Sequence, residues 1–173
     1  MAFLVLTVYV VQNFRQENVG PELAASYFSA EPVEGYGVRR ALAAGEEDSG
    51  SISVLRQGIN YHQNGDYRLA LTSLRAYLAE EPLTRDYLPA YLASTAAFAT
   101  GRYAESREFI EEMRRDTPSA RAAFLWQSAL LELREDDIAG ARWHLQALSG
   151  DAADQYATAE LLALLPERGN ESK

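Results

Sequence analysis

Residues 64–82 read NGDYRLALTSLRAYLAEEP and residues 100–118 read TGRYAESREFIEEMRRDTP. Gly65 and Gly101 lie 36 residues apart, as do Pro82 and Pro118. A fainter third copy, EDDIAGARWHLQALSGDAA over 135–153, puts Asp136 in the place of Gly101, 35 residues on. Self-similarity at such a period marks a stack of supersecondary units. One unit cannot bury its apolar face alone, and about three are needed for stability. From Ser51 onward apolar residues recur at the helical spacing i, i+3, i+4, i+7. Leu55, Ile59 and His62 share one stripe, and Leu71, Leu74 and Leu78 another. The breaks NGD, TGR and EDD separate the helices. The fold class is therefore all-α, built from helical hairpins.

The pattern resembles the tetratricopeptide repeat, a helix–turn–helix of about 34 residues. The first copy carries Gly58, Tyr61, Gly65, Tyr67, Ala70, Leu74 and Pro82 at the family's signature positions. The second keeps Gly101, Tyr103, Ile110 and Pro118, with Ser94, Ala97 and Ser106 at the small and aromatic positions. The third keeps Ala129, Ile138, Ala141 and Leu145. The resemblance implies a right-handed solenoid of about three hairpins over residues 51–153. Each signature residue has a physical task. Gly58 and Ala70 let paired helices approach closely. Gly65 ends a helix at positive φ. Tyr67 and Tyr103 start second helices, and Pro82 and Pro118 stop them, since Pro lacks a donor and restricts its predecessor. A last helix over about 152–165, with Tyr156, Ala159, Leu162 and Leu165 on one face, resembles the cap that closes such stacks. Pro166 ends it. The expected repeat domain is thus 51–166, followed by a polar tail over 167–173.

Two segments precede the repeats. Residues 1–16 form an apolar segment in which Ala2 to Val11 carry no charge. A spanning helix needs about 20 such residues, and the segment lacks the basic start and cleavage site of a signal peptide. It reads as the back half of a membrane anchor, as an element packed on the rest, or as a degenerate targeting segment. Residues 17–50 read as a short helix, GPELAASYF with Pro21 in its first turn, and a linker. The order of these parts, with SYFSAEPVEGYGVRR after the apolar run, is similar to bacterial membrane-anchored tetratricopeptide-repeat proteins. That likeness implies a cell-envelope location, repeats outside the cytoplasmic membrane; the alternative is cytoplasmic.

Composition narrows the chemistry. Net charge is −9, which argues against nucleic acid, whose binders need a basic face. No cysteine is present, so disulfides and thiolate metal sites are excluded. His62 and His144 lie in different repeats, and zinc takes three or four ligands. The only Lys is Lys173, so there is no phosphate loop of the Gly-x-x-x-x-Gly-Lys kind. Gly-x-Ser-x-Gly is absent too. Acid pairs such as Glu111-Glu112 read as solvated faces. No cofactor, metal or catalytic constellation is expected.

The resemblance implies a protein or peptide partner bound on the concave face, formed by the first helix of each pair. Its lining here would be Leu55, Ile59 and His62, then Tyr91, Leu92, Thr95 and Phe98, then Trp126, Gln127, Leu130 and Arg134. Ile52 and Leu88 would face the same groove. The subclass that grips a C-terminal carboxylate uses Lys and Asn there, where this chain has Leu55 and Ile59. An exposed apolar groove marks a partner. Trp126, Tyr91 and Phe98 read equally as core. A third possibility is that the chain's own first 30 residues fill the groove, leaving a structural or self-associating protein.

Overall fold

The computed structural model describes residues 19–28, 50–80, 86–113, 115–148 and 156–166. These form eight helices and, among the described residues, no strand. They are α1 (Val19–Tyr27), α2 (Gly50–Gln63), α3 (Tyr67–Glu80), α4 (Leu88–Ala99), α5 (Tyr103–Glu112), α6 (Pro118–Arg134), α7 (Ile138–Ala147) and α8 (Thr158–Leu164). The expectations for Ala2–Val11, for the linker and for Pro82 fall outside the described residues.

Three turns share one geometry. Gly65, Gly101 and Asp136 have φ of +80°, +77° and +61°. At the first, the N–H of Gly65 donates to the His62 carbonyl and that of Asp66 to the Tyr61 carbonyl. Gly101 and Arg102 repeat this onto Phe98 and Ala97, and Asp136 and Asp137 onto Leu133 and Glu132. This is the paired closure that satisfies the last carbonyls of a helix and needs a left-handed residue just past its end. Asp tolerates that conformation better than most residues with a Cβ, which is how Asp136 stands where the earlier copies use Gly. Asp137 then caps α7, its carboxylate accepting the Gly140 N–H at 2.8 Å.

The contacts divide the chain into two compact units: residues 29–127, and residues 1–28 with 128–173. In the first, α2 pairs with α3 and α4 with α5, and α3 packs on α4. Gly58 allows the first crossing, since a Cβ there would sit 2.9 Å from Leu74 Cγ. Every residue of α4 from Leu88 to Phe98 is buried, as expected of a helix that is apolar or small all round. Its Leu88, Leu92, Ala93, Ala96 and Ala97 join Leu55, Ile59, Leu71 and Leu74 in one core. Arg75 of α3 pairs with Glu105 of α5 on the surface.

In the second unit Leu130, Leu131, Leu133, Ala141, Leu145, Leu161 and Leu165 are buried. Arg142 of α7 donates to the carbonyls of Leu165 and Pro166 at 3.1 and 2.9 Å, fastening the end of α8.

Two local expectations are corrected. Pro118 opens α6 rather than stopping α5. α5 ends at Met113 in an extended conformation, ψ 133°. Thr117 Oγ1 accepts the Ala120 N–H, and a Pro in the first helical position loses no bond, because that N–H has no partner within the helix. The last helix starts at Thr158, after a turn at Tyr156 and Ala157. Its buried residues are Thr158 and Leu161, followed by Leu165 just past its end, not the face through Tyr156, Ala159 and Leu162. Of the expected face, Leu165 is buried, Tyr156 and Leu162 are half-buried and Ala159 is exposed.

Candidate functional site

The side chains expected to line a groove are packed. Leu55, Ile59, His62, Tyr91, Leu92, Thr95, Phe98, Trp126, Gln127 and Leu130 are all buried, and Arg134 is half-buried. Leu55, Ile59 and Leu92 belong to the shared core of the first unit. Leu130 and Arg134 lie in the second unit. Of the two others, Leu88 is buried and Ile52 half-buried.

The polar members among them tie helices together. His62 Nε2 of α2 meets Thr95 Oγ1 of α4 at 2.7 Å. Thr95 donates its only hydroxyl proton to the Leu92 carbonyl at 3.0 Å, so His62 is the donor to Thr95, with its proton on Nε2. Burial holds the imidazole neutral, its pKa lowered to about 4, because the charged form would lose its water. Further along, Ser94 Oγ of α4 lies 2.9 Å from both the carbonyl and the hydroxyl of Ser106 on α5. Gln127 Nε2 of α6 donates to Ser106 Oγ at 3.3 Å. A buried amide without such partners would be strongly destabilising.

Ring contacts repeat with the period. His62 meets Tyr67 edge-on with centroids 5.3 Å apart, and Phe98 meets Tyr103 at the same distance and nearly the same angle. Both pairs bridge the last turn of one helix and the first residue of the next. The corresponding third pair is Leu133 and Ile138.

Among the described residues, the large apolar side chains that stand in solvent are others: Leu69, Trp143 and Leu164. Trp143 on α7 is 63% exposed, with its ring edge-on to His144 at 4.8 Å. By the spacings of 36 and 35, its counterparts are Thr72 and Glu108, both exposed. The position faces water in every copy, and only the third puts an indole there. The sequence reading passed over Trp143 because it follows the buried stripes. A comparison of the copies position by position would have found it.

Two shallow clefts open on the described surface, the first beside Leu69. One of about 330 Å³ lies at the first turn, lined by Gly65 to Leu69 and Thr100. The other, about 630 Å³, lies between α7 and α8 beside Leu148, Tyr156 and Glu160. Among the described residues no three His, Cys, Asp or Glu side chains gather to hold a metal ion, and no helix is long and apolar enough to cross a membrane. No protein-family model, curated protein or solved structure matches the chain.

Proposed function

We propose that this chain is a non-catalytic protein-interaction module of the tetratricopeptide-repeat type. Its first-helix residues hold the stack together, and its contact with a protein partner centres on Trp143. The repeat reading is supported by the three turns of one geometry at the sequence period. The observation that carries the functional reading is the exposed indole at a position where the other copies place Thr72 and Glu108. Exposed apolar area is unfavourable in water, by about 25 cal/mol per Å², and packing among the described residues gives no reason for it. Trp is also the residue most enriched among interface anchors. Attachment to the outer side of the cytoplasmic membrane belongs to the same reading and rests on the Ala2–Val11 run and the order of the segments that follow it.

The test is capture from envelope extracts of the source cell with wild-type chain and with Trp143→Ala. Loss of one stoichiometric protein with Trp143→Ala, at unchanged helical signal and melting temperature, is the expected result. A partner retained at the same level would overturn the assignment. Capture of the chain itself would favour the self-associating alternative.

A further inference from the structure

The second unit is assembled from two stretches far apart in sequence, residues 1–28 and 128–173. α1 is seated in it as a separate piece. Gly20 backs onto the turn that joins α6 to α7: a Cβ there would lie 2.4 Å from the Leu133 carbonyl oxygen and 2.8 Å from Asp136 Oδ1. The obstacle is backbone, in a turn held by its own hydrogen bonds, so it does not yield as a flexible side chain would. One helical turn on, Ala24 has no exposed surface. One more turn on, Tyr27 lies beside the Glu160 carboxylate of α8, which raises the pKa of the phenol. Gly20, Ala24 and Tyr27 fall at i, i+4 and i+7, one stripe of a single helix. Twenty-two residues, 28–49, separate this helix from α2.

We propose that the surface formed by the α6–α7 turn and the Glu160 side of α8 is a helix-binding site that α1 fills within its own chain. The partner class it fits is a short peptide helix with small residues four apart and a tyrosine three further on. The small residues let the backbone come against Leu133 and Asp136, and the tyrosine hydroxyl finds the Glu160 carboxylate. This goes beyond the role given to Trp143 and does not rest on it, since none of these contacts uses that residue. Tethering sets the competition. An occupant carried on the same chain meets its site as an intramolecular partner, at a raised effective concentration, so a free peptide meets a filled site until α1 is weakened.

The experiment uses the full chain, with a fluorescent peptide of residues Val19–Phe28 as probe and anisotropy as readout. In the Gly20→Leu chain the added side chain strikes backbone, α1 leaves, and the probe is expected to bind saturably, about tenfold or more tighter than to wild type. A probe that itself carries Gly20→Leu is expected not to bind. Equal binding of the probe to wild type and Gly20→Leu chains, no binding to a folded Gly20→Leu chain, or equal binding of both probes would each overturn the site. Should Gly20→Leu fail to fold, Tyr27→Ala opens the site without adding bulk. It is expected to give the same order, and probe binding no tighter than to wild type would refute the proposal.

Discussion

The first two hairpins and the third are closed by the same turn and written with different chemistry. Gly65 and Gly101 take positive φ with open space around the position a Cβ would occupy. Asp136 takes it with a side chain, and that side chain lies against Gly20 of α1. The ring pairs His62–Tyr67 and Phe98–Tyr103 become Leu133 and Ile138. The solvent-facing Thr72 and Glu108 become Trp143. Backbone closure is what the period preserves. Side chains depart from it where the third copy has other surfaces to meet: α1 on one side and, in the proposed function, a protein partner on the other.

The largest effect should come from emptying the first unit's interior. Tyr91→Ala with Trp126→Ala removes two buried rings, and truncation of such a ring costs about 3–5 kcal/mol each. That approaches the whole stability of an ordinary domain. Loss of the cooperative urea transition is expected. A fully folded double variant would mean that these rings line an open face.

An intermediate effect is tied to His62. The unfolded chain takes up a proton on this imidazole near pH 6.5 and the folded chain only near pH 4. Between those values the unfolded state binds more protons, so stability is complete above pH 6.5 and falls as the pH drops towards 4. The loss is at most about 3 kcal/mol. His62→Phe, which writes the second hairpin's ring pair into the first, should flatten that part of the profile. Denaturant midpoints between pH 4 and 7.5 read it directly, and an unchanged slope in the variant would place the titration elsewhere.

The smallest effects separate the turns. Gly101→Ala forces a Cβ into the left-handed region and should cost about 1 kcal/mol. Asp136→Gly removes the same strain and should leave stability equal or up to about 1 kcal/mol higher. Opposite signs in thermal melts support the shared geometry. A destabilised Asp136→Gly would show that the carboxylate itself matters to the turn.

The turns were legible because their requirement is local: a residue at positive φ, spaced by the length of a hairpin. The stripes through Leu55, Ile59 and His62, and through Leu71 and Leu74, were legible for the same reason, since burial follows the helical period. Whether the first-helix residues were core or groove was not, because periodicity marks an apolar face without saying what covers it. Pro118 was misread because a proline suits a helix start as well as a helix end. The ties from Ser94 and Gln127 to Ser106, and the seat of Gly20 against Leu133, join residues far apart in sequence and leave no periodic trace. Trp143 was visible only by setting the copies side by side.

The chain holds two tryptophans, one on each side of the central distinction. Trp126 is buried and Trp143 stands in solvent. Acrylamide quenching of Trp126→Phe and Trp143→Phe, each of which leaves one indole, tests the account most directly. The expected result is red-shifted, strongly quenched emission from Trp143 and blue-shifted, protected emission from Trp126. Equal quenching of the two would contradict it, because the first-helix face would then be open and the binding surface would have to be sought there.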